Sequence, residues 1–528
     1  MNYKRKLILN KYFLSLTILL GLISVKSFSQ TEVKTSSSAV SIKIKIDTIS
    51  AVKPVNNNLY GFSTENLFAE IKTPDDSAFF NQVKKINPAV LRWPGGMLAN
   101  FYHASGNGYG LKKNEIAGIY LQYAQQLEAQ GVFATQLRLN HSYQQDFLRL
   151  AQKLNSKVLI TANILTGTPE ELLDQLNFFT DNNIEVAGVE LGDEMYLNIY
   201  RAIFPYPGSY ISKAETFVSV VKKYFPTVKI GACAAPNPRL SDLDGTAAGE
   251  FVYFKAWNDA LSKSHFFDAV VIHSYTPVQI IPNQPVDSVF QRAIVEEKKT
   301  FAKSGVLVQS LDYFREIFPK SKIWITEWNL AIRSTNGYFL NTLYQSLYIG
   351  SYLNFINHFN MQNKFPVELA VFQSLATGGI YNQYGVINLK ADKEKAASKN
   401  VRRTAWYAFK NLNEIYSGKY FFQSCTVDAD AKFELNAYRD SVTNDLVLSW
   451  MNYSGNEYKI DSISYRDLNF SNSNATINYL KGALTDSYGW TRFSRNSYNT
   501  PPTDKSEQKK LSEWVFPPYG MGVIRILQ

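Results

Sequence analysis

Residues 157–194 read KVLITANILTGTPEELLDQLNFFTDNNIEVAGVELGDE. The stretch opens on a short β-rich apolar run, Val158–Asn163, and closes on a second, Gly188–Glu194. Between them Thr168 and Pro169 give a cap and a first-turn signal, and Glu170 and Glu171 suit the positive end of a helix. Leu172, Leu173, Leu176 and Phe179 then share one face, so the spacing predicts an amphipathic helix over Thr168–Asn182. Strand, helix, strand is one parallel βαβ unit. The same alternation recurs on both sides of it. Leu59–Glu65, Ala89–Trp93, Lys229–Ala234, Asp268–His273, Lys322–Glu327 and Glu368–Gln373 read as further strands, with helical patterns such as Asp76–Ile86, Tyr143–Leu154 and Ile211–Phe225 between them. Eight such units predict a (β/α)8 barrel, over residues 56–413. The rival, an open doubly wound sheet, lacks support, because no G-x-G-x-x-G follows the first strand and no Walker motif occurs.

Outside the barrel the pattern changes. Residues 414–528 alternate apolar and polar positions, as in Leu446–Trp450 and Gly522–Ile526, with Ser, Asn, Gly and Pro between. That predicts an antiparallel β-sandwich. Ile42, Ile44 and Ile46 alternate in the same way, so residues 42–55 are expected to lend a strand to that sandwich. Residues 1–29 join a basic start (Lys4, Arg5, Lys6, Lys11) to an apolar core and a small-residue Ser27-Phe28-Ser29 end. This predicts an export signal with residues 30–41 as a flexible leader, and no integral membrane span once it is removed. Export places the chain in the periplasm, at the cell surface or outside the cell.

Composition narrows the function. Of 528 residues, 45% are hydrophobic and 19% charged, which excludes a mainly disordered chain. The formal charge is +10, but the signal segment carries five cations and no acid, leaving +5, too mild for a nucleic-acid footprint. Two cysteines, Cys233 and Cys425, exclude a disulfide scaffold and a four-thiolate zinc site, while five histidines leave room for a multi-histidine metal centre. There is no H-x-H or H-E-x-x-H. No metal or cofactor is expected.

Chemistry in such a barrel sits at the C-terminal strand ends. Those ends carry Glu65, Arg92-Trp93, Asn163, Asp193-Glu194, His273-Ser274-Tyr275, Glu327-Trp328-Asn329 and Gln373. This is the composition of a polar, aromatic-walled cleft. Glu194 and Glu327 terminate the fourth and seventh strands, which face each other across the barrel mouth. Glycoside hydrolysis needs two carboxyls flanking one bond, and a retaining enzyme holds them about 5–5.5 Å apart.

Here the sequence resembles a known group. Gly188-Val-Glu-Leu-Gly-Asp-Glu194 is similar to the acid/base motif E-L-G-N-E of glycoside hydrolase clan A, and Ile325-Thr-Glu-Trp-Asn329 to its nucleophile strand. Leu91-Arg-Trp-Pro-Gly-Gly96 with Asn100 and Tyr102, Val271-Ile-His-Ser-Tyr275 and Phe516-Pro-Pro-Tyr-Gly520 resemble segments of the family 51 α-L-arabinofuranosidases; families 39 and 79 share much of the layout. The resemblance implies an exported retaining glycosidase acting on plant or algal polysaccharide or oligosaccharide. It implies Glu194 as general acid/base and Glu327 as nucleophile. Tyr275 would hydrogen-bond Glu327, and Arg92 would sit beside it. Glu65, Asn163 and His273 would line the sugar subsite, and Trp93, Tyr196 and Trp328 would be stacking platforms. Asp193 stands where the group has an Asn that donates to a sugar hydroxyl, which an ionised Asp cannot do. A second function class follows from that change, a catalytically silent carbohydrate-binding barrel. Gly95–Ser156, between strands two and three, is expected to wall the cleft and to end in a helix, and His103 and His141 within it have no assigned role.

Overall fold

The computed structural model describes residues 39–47, 53–65, 67–70, 74–243, 248–278, 284–331, 339–364, 366–377, 384–389, 401–466, 468–488 and 500–527. The expected signal and most of the expected leader lie outside these residues. Eight parallel strands close into a barrel in chain order: Gly61–Ser63, Val90–Trp93, Lys157–Ala162, Val186–Leu191, Ile230–Cys233, Ala269–Thr276, Lys322–Leu330 and Val367–Phe372. Each expected strand is present.

The lower barrel is filled by one apolar set that includes Val90, Leu159, Val271, Trp324 and Leu369. Gly188 and Gly231 make room for the Trp324 indole, since a Cβ on either would come within 2.3 or 2.6 Å of its ring. With its lower half plugged, the barrel is a packed scaffold whose upper rim alone is free to be polar. The expected helix forms over Pro169–Asp181, and Thr168 and Glu171 complete a reciprocal cap at its start.

The C-terminal strands form two stacked sheets. The larger joins Lys53–Pro54, Tyr420–Gln423, Phe433–Asp440, Leu446–Asn452, Gly520–Ile526, Asn474–Lys481 and Thr503–Lys510. The smaller is built on Tyr458–Tyr465 and includes the N-terminal strand Val40–Ile46, which buries Ile42, Ile44 and Ile46. That strand is antiparallel to Cys425–Val427, as expected, but on its other side it runs parallel to the remote strand Tyr458–Tyr465. The two strands lie far apart in sequence, so no hairpin fixes their direction.

The segment after the second barrel strand holds more structure than one terminal helix. It contains the turn Met97–Phe101 and the helices Lys113–Ile119, Leu121–Ala129, Val132–Gln136 and Tyr143–Leu154. Cys233 is buried and Cys425 half-buried, and neither is in a disulfide. Among the described residues no helix is long and apolar enough to cross a membrane.

Candidate active site

Arg92, on the second barrel strand, is fully buried and points up the barrel axis. Its Nε and Nη2 donate to both oxygens of Glu190 at 2.7 and 2.8 Å, Nη2 also donates to Asp193 at 2.6 Å, and Nη1 donates to Glu327 at 2.7 Å. Burial opposes the guanidinium charge, but three carboxylates around it outweigh burial and keep it charged. The rigid fork of Arg lets one side chain fix three acids from three directions.

The chain leaves the fourth strand through a left-handed turn, with φ of +82° at Gly192 and +49° at Glu194. This resolves a difficulty of the sequence. Alternation along a strand would turn Asp193 and Glu194 to opposite faces. The turn instead sends both into the site. Asp193 reaches Arg92, while Glu194 accepts from His273 Nδ1 at 2.9 Å and from the Tyr196 hydroxyl at 3.2 Å. Asn100 locks the turn, donating to the Asp193 carbonyl and accepting from its amide, both at 2.8 Å.

A bulge performs the same task on the seventh strand. Ile272 pairs with Ile325 but His273 pairs with Glu327, leaving Thr326 as the extra residue. Thr326 and Glu327 therefore both face inward: Thr326 donates to Glu190 at 3.0 Å, and Glu327 accepts from Arg92 and from the Tyr275 hydroxyl at 2.6 Å. His273 Nδ1 stands 3.7 Å from Glu327 as well as 2.9 Å from Glu194. One ring nitrogen thus touches both carboxyls.

The environments of the acids differ. Burial would raise the pKa of Glu327, but the charges of His273 and Arg92 and the hydrogen bonds from Tyr275 and Arg92 bring it below the ordinary carboxylate value. Asp193 is pushed up to about 7, by burial first and then by Glu327, against the pull of Arg92 and His273. Glu65 is pushed up to about 8 by burial and by Glu327 and Asp193. Burial would lower His273, but Glu327, Glu194 and Asp193 raise it to about 10, so the ring is an imidazolium.

The structure brings Glu65, Arg92, Asp193, Glu194, Tyr196, His273, Tyr275 and Glu327 together and removes three expected residues. Trp93 is wholly buried against Phe68 and Phe147 beneath the helix layer, and Trp328 lies stacked on Tyr352 at 4.2 Å. Neither is a platform for a ring. Each follows an inward-facing charged residue, so alternation turns it outward into the core. Asn163 does not offer its amide to the cleft: Nδ2 donates to the Tyr102 carbonyl and to Thr166, and Oδ1 accepts from the Thr166 amide. Tyr196 is a hydrogen-bond donor to Glu194, and its ring packs edge-on to Phe254.

Three members lie within the quoted motifs and strand ends but had no role assigned from the sequence. Glu190 is fully buried and accepts from Arg92, Thr161 and Thr326; an acid inside an apolar strand was its signal. Asn100 holds the turn, and Gln373 donates to Glu65 at 2.6 Å. Glu190, Asp193 and His273 stand close enough to share an ion. Arg92 already donates to both of those carboxylates and supplies the positive charge there. His103, given no role, bridges Glu171 and Glu115 at 3.0 and 2.9 Å and ties the long segment to the helix after strand three.

The closed (β/α)8 barrel and the sandwich that takes an N-terminal strand are a fold shared with solved α-L-arabinofuranosidases. No family model matches the sequence. The chain is similar in fold to an α-L-arabinofuranosidase from Thermotoga maritima solved with arabinose, with TM-score 0.63 and 16% identity over 92% of this chain and 100% of that one. It is also similar to the family 51 enzyme of Xanthomonas axonopodis pv. citri, with TM-score 0.62, 12% identity and coverage of 92% and 100%. A family 44 xyloglucanase from Paenibacillus polymyxa shares the fold at TM-score 0.55 and 11% identity, with coverage of 93% and 100%. In sequence the chain is 25% identical over 207 residues to an intracellular exo-α-L-arabinofuranosidase of Bacteroides ovatus. That match spans 37% of this chain and about a third of the relative, 36% of its length.

Proposed function

We propose that the protein is a retaining glycoside hydrolase, exported by its N-terminal segment, that acts on plant or algal polysaccharide or oligosaccharide by double displacement. Glu327 is the nucleophile and attacks the anomeric carbon; Arg92 and Tyr275 keep it ionised and aimed. Glu194 gives a proton to the leaving oxygen and, in the second half-reaction, takes one from the attacking water. The observation that carries this reading is the shared contact at His273 Nδ1, 2.9 Å from Glu194 and 3.7 Å from Glu327. Those two contacts would have to be collinear to open the pair to even the shortest inverting separation, about 6.5 Å. The similar proteins include α-L-arabinofuranosidases, one of them solved with arabinose, so α-L-arabinofuranosides are the first sugars to try.

The test is a panel of aryl glycosides with wild type and Glu327→Gln, with the first-formed anomer followed by proton NMR. Turnover that Glu327→Gln abolishes, with retained configuration in the first product, supports the reading. An inverted first product refutes the retaining mechanism. Folded protein that turns over no glycoside yet binds oligosaccharide would favour the silent carbohydrate-binding barrel.

A further inference from the structure

Next to the carboxyl cluster, between the ends of the fifth and sixth barrel strands and the helices Ala248–Leu261 and Val306–Ile317, lies a cavity of about 170 Å³. It borders the site, for Tyr196 and His273, the two residues that hydrogen-bond Glu194, form part of its wall. The rest is mostly apolar, with Leu240, Phe251, Phe254 and Phe314 prominent. Three of the wall's polar side chains are engaged elsewhere. Asn237 accepts from the Arg239 amide at 2.9 Å and donates to the Gln309 carbonyl at 3.4 Å. The Thr276 hydroxyl pairs with Tyr348 at 3.0 Å, and Thr300 donates to the Glu296 carbonyl at 3.0 Å.

We propose that this cavity is an aglycone pocket and that it takes an aromatic ring borne on the leaving oxygen. The inference rests on Glu194 being the proton donor, for the leaving oxygen then sits beside Tyr196 at the cavity's mouth. A second sugar is a poor occupant. It would bring hydroxyls to a mostly apolar wall with few free donors and acceptors, where a hydroxyl left unpaired is costly. A phenyl ring has no such groups and meets Phe edges and faces. The size agrees, since an apolar cavity of about 150 Å³ lined by Leu, Ile and Phe holds benzene in another protein. The opposite side of the cluster, where Glu65, Gln373 and Asp193 converge, is the polar half suited to the glycone.

The experiment compares benzyl and methyl glycosides of the sugar that the panel identifies. Their leaving alcohols are nearly equal in acidity, so a rate difference reports the pocket and not leaving-group chemistry. The expected result is a kcat/KM for the benzyl glycoside roughly tenfold to a hundredfold above the methyl one, the scale set by burying one ring. Ser310 lines the cavity from its helix. Ser310→Phe fills the space and should erase the benzyl advantage while leaving methyl turnover within about twofold. Phe251→Ala enlarges the pocket and should shift preference toward a naphthylmethyl glycoside, which keeps the question open to test if Ser310→Phe fails to fold. Equal kcat/KM for the two glycosides, or an advantage that both variants leave intact, would overturn the proposal. If folded wild type cleaves neither glycoside, the hydrolase reading fails on its own terms. The pocket is then tested by NMR with benzyl alcohol alone: binding lost in Ser310→Phe supports it, and no binding overturns it.

Discussion

Replacing Asp193 by Asn should raise stability at alkaline pH and move the alkaline limb of activity upward. Asp193 is 3% exposed, and its carboxyl is raised from 3.8 to about 7. Between those values the native protein holds a proton that the unfolded chain has released. Stability therefore falls as pH rises across that window, and above pH 7 the full cost is present, on the order of 4 kcal/mol for three pKa units. The Asn variant does not ionise and escapes this term. It gives up a charged hydrogen bond from Arg92, worth about 1.5–3 kcal/mol, but Glu190 and Glu327 still pair that guanidinium. Relative to wild type, the variant should thus gain roughly 2–4 kcal/mol between pH 4 and pH 8. Urea unfolding at the two pH values measures this directly. In kinetics, protonated Asp193 can donate to a sugar hydroxyl as Asn does, and the ionised form cannot. The alkaline limb of kcat/KM should therefore lie higher in the variant. A stability difference that stays flat with pH, together with unchanged pH–rate profiles, would refute the reasoning and leave Asp193 as a mere ion-pair partner of Arg92.

Glu327→Ala should lower kcat by at least about 10⁴-fold, with azide yielding only an inverted glycosyl azide, detected by NMR. Glu194→Ala should still glycosylate itself with good leaving groups, then deglycosylate slowly unless azide is added; equal losses on good and poor leaving groups would reject the acid/base role. Glu171 and then Glu115 raise the pKa of His103, and His103 lowers that of Glu171. That bridge is complete between the two unfolded values, so His103→Ala should cost about 1–3 kcal/mol at pH 6. The cost should shrink as pH rises through the folded histidine value, measured by urea unfolding. Burial raises Glu297, under the sandwich and bonded to Tyr453 at 2.5 Å, to about 7. Wild-type stability should fall as pH climbs from 4.5 to 7 on its account, and Glu297→Gln should flatten that slope in the same assay.

The eight-strand barrel was legible because each strand is a short apolar run bounded by turn signals, and because the helices carry their own caps, as Thr168 does. The cluster was legible at strand ends for the same reason, since a charged residue closing an apolar run has one open direction to go. What the pattern could not give was side-chain direction after the strand geometry breaks. Strict alternation after the inward residues Arg92 and Glu327 already sends Trp93 and Trp328 outward into the core, so reading them as platforms set that rule aside. The bulge at Thr326 and the left-handed turn at Gly192 and Glu194 are invisible to a period-2 reading, yet they aim Glu327 and Asp193. Glu190 was hidden by the opposite effect, for an acid in mid-strand resembles an error in an apolar run until its counter-charge, remote in sequence, is seen beside it.

The charge count of the cluster explains why its acids diverge. Two cations, Arg92 and His273, face five carboxyls: Glu65, Glu190, Asp193, Glu194 and Glu327. Two charges cannot neutralise five in a buried space, so some protons must stay. They stay where cations help least. Glu65 takes its hydrogen bond from neutral Gln373, and it rises furthest, to about 8. Asp193 shares a single Arg92 nitrogen with Glu190 and rises to about 7. Glu327 has Arg92 Nη1 and the Tyr275 hydroxyl to itself on separate oxygens, with His273 close by, and it alone of these three is lowered. Ionisation of Glu327 is thus supported by protons retained on its neighbours. A protonated carboxyl at Asp193 then offers what an amide would offer there, a donor without a charge, and the substitution that suggests lost activity in the sequence becomes compatible with an intact site.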